Sequence, residues 1–345
     1  MTQSDTDPPQ TARRRWSREL DTQIDGLSLA SSGPMLVHGY DPPAGGKWID
    51  DAIPGRLIAL DRDDGQRLWQ SPCEVGYGRG FGAGVDPGRE VILLGPGIDG
   101  HRIVRMSISD GELIGAGDIP AFDAVDVASD YCLCVTAGGV TSVDVESMAS
   151  TWSWSREGER YHLVAREADQ AIVVHTDLST RLQGLLRLDA ETGSFEEMLI
   201  DANQTHIYDL AITGDIVIFL ATNLETLMPP ELAAELAMET GQESSDPNGI
   251  AIVATRLDGS AGDAPLWYRM LGVDSASETQ IGLRADNGKL YVERGAWLGA
   301  FDALTGRLLG RWTVPGLDEQ VDWRVADGAG LLAEETRVSL FELPA

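Results

Sequence analysis

The sequence contains no apolar run of membrane-spanning length, so we expect no transmembrane segment. Positive charge is also scarce: Lys47 and Lys289 are the only lysines, and 55 acidic residues face 26 basic ones in a chain of 345 residues. The formal net charge of −29 would repel nucleic acids and anionic membranes over most of the surface, so we expect neither as a partner. This composition suits either a GC-rich coding sequence or adaptation to high salt.

Cysteine is equally sparse, and the odd number of Cys73, Cys132 and Cys134 does not suit a disulfide framework. Cys132 and Cys134 stand two residues apart in a strand-like segment, so their side chains point to one face. A soft-metal or redox pair would fit this spacing, but we favour two cysteines packed in a core strand. The run Arg13-Arg14-Arg15 is followed by a charged, amphipathic segment, so we predict no export signal and a cytoplasmic protein.

One segment, residues 55–69, sets the pattern for the rest of the chain. It reads as an apolar strand, an aspartate-rich turn that ends in Gly65, and a second strand that begins with Leu68 and Trp69. Glycine suits the turn because it adopts positive φ without strain. Similar strand–turn–strand units recur along the chain, and such spacing of short strands predicts an all-β repeat protein.

Grouped in fours, the predicted strands make a seven-bladed β-propeller of four-stranded antiparallel blades. The last blade has only three strands before the chain ends, whereas the segment around Trp16 is a strand without a blade. We therefore predict that this N-terminal strand completes the last blade and closes the ring, which protects the sheet edges. The tryptophans of other fourth strands that match Trp16 are Trp69, Trp154, Trp267 and Trp312.

The predicted domain organisation is a disordered tail over residues 1–12 and a single propeller over 13–345. Two insertions, 41–55 and 223–249, interrupt it. The second contains a segment, 229–241, that starts with two prolines and ends with glycine, and these boundary signals predict one amphipathic helix.

The opening repeat resembles the tryptophan-docking repeat of pyrroloquinoline-quinone-type (PQQ-like) β-propellers, through Ala59-Leu60-Asp61, Gly65 and Trp69. The resemblance implies a propeller over nearly the whole chain, and it implies no particular activity, because the motif docks blades to each other. Two further copies are partial: Leu188-Asp189 with Gly193, and Ala300-Phe301-Asp302 with Gly306, where Gly310 stands at the Trp position and Trp312 follows two residues later.

Quinone-dependent dehydrogenases of this broad group use PQQ with calcium or a lanthanide. No signal peptide, adjacent-cysteine pair or haem-attachment motif accompanies the repeat in this chain, so we do not expect PQQ as a cofactor.

The first strand of each propeller blade lines the central channel, and its beginning offers candidate site residues. Several of these strands begin with an aspartate after a bulky residue, and the fourth blade has a histidine in that slot. A ring of carboxylates at one mouth would bind a divalent cation, share protons or attract a basic ligand. We favour the simpler interpretation, in which each aspartate satisfies backbone N–H groups at the turn into its strand. The candidates for the metal are Asp25, Asp123, Asp209 and Asp322, and the other residues of this mouth are His162, His206, Tyr208 and Arg79.

Both insertions fall between second and third strands, at the same end of the blades as these candidates. Loops on a rigid scaffold commonly carry binding residues. We therefore predict a binding or scaffold protein that holds a protein, peptide or small-molecule partner on this loop face. The alternative is an enzyme with a metal or polar site at the channel mouth, of which a quinone-dependent dehydrogenase is a narrower version.

Overall fold

The structure, a computed structural model, describes residues 9–29, 33–41, 55–76, 82–86, 90–97, 100–128, 130–200, 206–222, 250–259, 265–271, 281–319 and 322–343. Within these ranges the chain consists of 29 β-strands and one 3-10 helix, Leu317–Glu319. The strands form seven sheets, which confirms the predicted all-β propeller of four-stranded antiparallel blades.

The first four blades each use four consecutive strands, as the sequence predicted. Blade 1 has β3 (Gln23–Ser28), β4 (Met35–Tyr40), β5 (Gly55–Leu60) and β6 (Arg67–Cys73). Blade 2 has β7 (Gly82–Asp86), β8 (Glu90–Gly97), β9 (Gly100–Ser107) and β10 (Leu113–Ile119). Blade 3 has β11 (Ala124–Val127), β12 (Tyr131–Thr136), β13 (Gly139–Asp144) and β14 (Ser150–Trp154). Blade 4 has β15 (Glu159–Glu167), β16 (Gln170–Asp177), β17 (Gln183–Asp189) and β18 (Phe195–Ile200).

The remaining blades include the two ends of the chain. Blade 5 has β19 (Ile207–Thr213), β20 (Ile216–Thr222), β21 (Ile250–Arg256) and β22 (Trp267–Met270). Blade 6 has β23 (Ile281–Asp286), β24 (Lys289–Arg294), β25 (Trp297–Asp302) and β26 (Leu308–Thr313), and it carries β1 (Gln10–Thr11) as a fifth strand. Blade 7 has β27 (Asp322–Ala326), β28 (Ala329–Ala333) and β29 (Arg337–Glu342), with β2 (Arg13–Glu19) as its fourth strand.

The N-terminal segment closes the ring. Strand β2 pairs antiparallel with β29, with Arg13 opposite Glu342 and Glu19 opposite Arg337, as predicted. Strand β1 lies parallel to β26, and the Ala12 N–H donates to the Thr313 carbonyl at 2.9 Å. The expected tail over 1–12 is therefore too long: residues 10–12 belong to the propeller because Ala12 packs between blades 6 and 7.

The two insertions leave blades 1 and 5 between the second and third strands. Apart from residues 41 and 55, both lie outside the described residues, as does the helix predicted over 229–241. No described element therefore supports a helical insertion.

Among the described residues the core consists of seven apolar clusters, each between two neighbouring blades. The first strands of successive blades contact each other in a closed ring around the channel. Cys132 and Cys134 both pack in the cluster between blades 2 and 3, as the sequence predicted. Burial raises the pKa of the Cys134 thiol to about 12, so this thiol stays protonated at neutral pH.

A repeated tryptophan contact joins four pairs of blades. In each, the indole N–H of an outer strand donates to a carbonyl in the turn between the last two strands of the next blade. The indole ring packs on the glycine of that turn. A Cβ on this glycine would lie 2.5–2.8 Å from the nearest atom of the preceding blade's outer strand, so only glycine leaves room for the indole. The four contacts are Trp16 with Arg62 O (3.1 Å) and Gly65, Trp69 with Ile108 O (2.8 Å) and Gly111, Trp152 with Ala190 O (3.0 Å) and Gly193, and Trp267 with Ala303 O (2.8 Å) and Gly306.

Two of the tryptophans predicted to make this contact, Trp154 and Trp312, do not make it. In blade 3, Trp152 makes the contact, whereas Trp154 lies two residues further along the same face and packs on Phe195 instead. In blade 6, Gly310 pairs with Ala300 as Trp69 pairs with Ala59, and the Trp312 ring folds over Gly310.

At the boundary between blades 2 and 3, the glycine and the large side chain of this contact have exchanged positions. Gly115 stands opposite Arg105 at the tryptophan position, and Met148 stands at the glycine position with φ of 58°. A Cβ on Gly115 would lie 2.9 Å from the Met148 Cε, so the methionine side chain fills the space that an indole fills elsewhere.

Candidate functional site

The candidate residues lie on one face of the propeller, which we call the entry face. It is the end at which each first strand begins and each second strand ends, and the connections 42–54 and 223–249 leave from it. All predicted site residues with described positions belong to this face. Arg79 lies outside the described residues.

Asp209 and Asp322 each join two blades. The Asp322 Oδ2 accepts the Leu27 N–H of blade 1 at 2.8 Å, and its Oδ1 accepts the Trp323 N–H at 2.8 Å. Asp209 repeats this pattern in blade 5, with the Leu283 N–H of blade 6 at 2.7 Å and the N–H of its own neighbour, Leu210, at 2.9 Å. These carboxylates therefore satisfy backbone N–H groups, and for each of them one of the two N–H partners lies in the next blade.

Two arginines on the first strands compensate the negative charges of these aspartates. The Arg324 Nη1 donates to the Asp322 Oδ1 at 2.8 Å, and Arg284 lies 3.7 Å from Asp209 and 3.8 Å from Asp322. Burial raises the pKa of Asp209, while the charge of Arg284 lowers it. Sequence reasoning missed both arginines, although Leu283-Arg284 and Trp323-Arg324 form a repeated pair at the same point of the first strand.

Asp25 and Asp123 do not join this arrangement. Asp25 occupies a β-bulge between Ile24 and Gly26, and its Oδ2 lies 3.6 Å from the His38 Nδ1. Asp123 is exposed and accepts the Ala137 N–H at 3.2 Å. In the described part of the chain, no three His, Cys, Asp or Glu side chains form a group that could hold a metal ion. The described aspartates thus make separate contacts and not the candidate metal ring, because the bulge moves Asp25 out of register with Asp209 and Asp322.

His162, His206 and Tyr208 do come together at the starts of blades 4 and 5. The rings of His206 and Tyr208 are 5.9 Å apart. The pKa of His162 is lowered by burial and further by the nearby charges of Arg160, His206 and His175. We call Arg160, His162, His206 and Tyr208 the entry patch.

Two bulges aim this patch outward. His162 is the extra residue between Tyr161 and Leu163 in β15, and Tyr208 is the extra residue before Asp209 in β19. Bulges re-aim side chains at the rims of β structures. As a result the Tyr208 side chain is exposed (55%), whereas His162 is half-buried and lies with its Nε2 2.6 Å from the Thr176 Oγ1.

His175 is expected to make the stability of the protein depend on pH. It is buried in β16, and its Nδ1 lies 3.4 Å from the Glu159 Oε2. Burial lowers its pKa from the ordinary value of 6.5, while Glu159 raises it. Because the pKa is lower in the folded state, the full stabilisation exists above about pH 6.5 and is lost as the pH falls below it.

We therefore expect the free energy of unfolding to fall between pH 7 and pH 5.5, and His175→Gln to flatten this slope by up to about 1.4 kcal/mol per pH unit. Urea unfolding at several pH values measures both slopes. An unchanged slope in the variant would contradict the assignment. The charged neighbours that also act on His175 are Arg156, Glu159, Asp177 and Glu197.

The fold has relatives among solved structures, but the sequence has none among families: no protein-family model and none of the curated proteins match it. The computationally designed Ika8 protein is 13% identical, with a TM-score of 0.56, and the match covers 96% of this chain and 99% of that chain. BamB from Moraxella catarrhalis is 15% identical, with a TM-score of 0.50 and coverage of 96% and 100%. The Pan2 WD40 domain from Neurospora crassa is 10% identical, with a TM-score of 0.59 and coverage of 98% of each chain.

At these identities the comparisons show the fold alone. What the chain shares with these structures, and with PQQ-like propellers, is the seven-bladed β-propeller fold. Among the described residues, no helix is long and apolar enough to cross a membrane.

Proposed function

We propose that the protein is a binding platform that holds a protein or peptide partner on its entry face. The exposed residues of the entry patch, Arg160, His206 and Tyr208, carry this proposal. Tyr208 offers a large amphipathic ring and Arg160 a planar cation, and tyrosine and arginine are, with tryptophan, the residue types enriched among the residues that contribute most to binding at protein interfaces. The location that we propose is cytoplasmic, in keeping with three buried free cysteines.

The scaffold supports this use of the patch. Its four residues stand at the starts of two adjacent first strands, which the closed ring of blades holds rigidly. One structural neighbour is a WD40 domain, and propellers commonly act as scaffolds for protein interactions. A rigid patch binds a partner without the entropy cost of ordering a loop.

Site-specific photo-crosslinking tests the proposal. A benzoylphenylalanine in place of Tyr208 should crosslink one partner in an extract of the source cells, and Arg160→Ala should weaken that crosslink. The matched control places the same residue at Leu304, which is equally exposed (60%) but lies in a turn on the opposite face. Equal crosslinking from both positions, or none from position 208, would contradict a partner site on the entry face.

A further inference from the structure

A second cluster of interest, which combines aromatic, acidic and basic side chains, lies between the outer strands of blades 3 and 4. It surrounds the guanidinium of Arg156, which stands in the connection from β14 to β15. The guanidinium carbon is 4.9 Å from the centre of the Phe195 ring and 5.7 Å from that of Trp154, and the two ring centres are 4.7 Å apart. The two distances from the guanidinium carbon to the ring centres are within the range of cation–π attraction.

Two carboxylates complete the surroundings of this cation. The Arg156 Nη1 donates to the Glu159 Oε1 at 2.8 Å and to the Glu197 Oε1 at 2.9 Å. Glu159 is largely buried (8% side-chain exposure), and it also accepts the Tyr161 hydroxyl at 2.9 Å. A buried carboxylate needs a cation nearby, because an unpaired charge in this environment is costly. We call Trp154, Glu159, Phe195 and Glu197 the cation box.

The cation box is open to solvent on one side. The side chains of Arg156 and Glu197 are 35% and 37% exposed, and Phe195 is 44% exposed. The backbone of Arg156 is held separately, because its N–H donates to the Tyr161 hydroxyl at 3.0 Å. The arginine side chain can therefore leave by rotation about its own bonds while the connection stays in place.

We propose that the cation box recognises an arginine side chain of a basic partner segment, and that Arg156 occupies the box when that partner is absent. The net charge of −29 favours a basic partner by charge complementarity. A guanidinium suits the box better than an ammonium, because it is planar against the rings and presents several N–H donors to the two carboxylates. The cation box shares no residue with the entry patch, and its test does not rest on the function proposed for that patch.

Emptying the cation box tests the proposal directly. Arg156→Ala should bind N-acetyl-arginine amide in calorimetric titration at 0.15 M salt, where general attraction to the acidic surface is screened. The wild-type protein should bind it at least about 10-fold more weakly, because its own arginine competes for the site. N-acetyl-lysine amide, which has the same charge, should bind the variant at least about 5-fold more weakly than the arginine compound.

Two companion variants distinguish recognition of a partner's arginine from a purely structural role of Arg156. Phe195→Leu in the Arg156→Ala background should weaken binding of the arginine compound by about 5-fold or more, since it removes the cation–π partner. Arg156→Gln serves in place of Arg156→Ala if the latter does not fold, because it keeps part of the stem while removing the charge. No binding to a folded, emptied box, equal binding of the lysine compound, or full binding without the Phe195 ring would each overturn the proposal.

Discussion

Replacing Trp16 by alanine is expected to lower the free energy of unfolding by about 3–5 kcal/mol. The ring is 8% exposed, packs on Gly65 of blade 1, and donates its Nε1–H to the Arg62 carbonyl at 3.1 Å. Alanine would leave a cavity and remove the partner of that carbonyl. The contact joins blade 7 to blade 1, where the ring of blades is closed by strands from both ends of the chain. Urea unfolding, followed by circular dichroism, measures the loss.

Two matched variants show which part of the contact matters. Trp16→Phe keeps most of the ring but lacks the N–H, so it should cost less, about 1–2 kcal/mol. Leu304→Ala removes a side chain that is 60% exposed and should change stability by about 0.5 kcal/mol or less. A Trp16→Ala cost no larger than that of Leu304→Ala would mean that the indole does not hold the closure together.

The repeat could be recognised from the sequence because its signals are local. In the opening turn, Asp61 Oδ1 accepts the Asp63 N–H at 2.7 Å, and Gly65 takes φ of 70°. In two other turns, Asp189 and Asp302 accept the N–H of the residue three positions later, as Asp61 also does from Asp64. Each signal acts within five residues, so the blades and their number follow from the order of residues alone.

The exchange of Gly115 and Met148 could not be found in this way. It depends on the matching of volumes across two blades, and no local pattern marks a methionine as the partner of a glycine 33 positions earlier. The docking role of Trp152 rather than Trp154 has a similar cause. Both face the next blade, and the strand register decides which indole reaches the Ala190 carbonyl.

The candidate site was predictable in its location but not in its contacts. The bulge at Asp25 shifts this residue relative to Asp209 and Asp322, and a bulge has no clear sequence signature. The partners of Asp209 and Asp322 are N–H groups of the following blade together with Arg284 and Arg324. Such pairings between blades appear only when the sheets are in place, so the sequence left a metal ring open where the structure shows backbone hydrogen bonds and ion pairs.

Removing residues 1–20 should destabilise the protein more than any single substitution. The deletion takes away β1, Ala12 and the whole of β2, so β29 becomes an unpaired edge, and the apolar clusters on both sides of blade 7 lose Ala12 and Trp16. An unpaired edge also pairs with other chains. We expect a fall in Tm of at least about 10 °C, together with oligomers in light scattering after size-exclusion chromatography.

A synthetic peptide of residues 9–20 distinguishes loss of this strand from a general effect of truncation. Added in excess to the truncated protein, it should restore the monomer and part of the lost Tm, because β2 binds through a complete antiparallel ladder from Arg13 opposite Glu342 to Glu19 opposite Arg337. The same peptide with Trp16 replaced by alanine should restore much less. Deletion of residues 1–8 alone, which leaves both strands in the chain, is the matched control and should keep the wild-type Tm. If the protein without residues 1–20 remains a monomer and keeps the wild-type Tm, the last blade does not need its N-terminal strand. Closure of the ring of blades would then rest on the contacts between first strands.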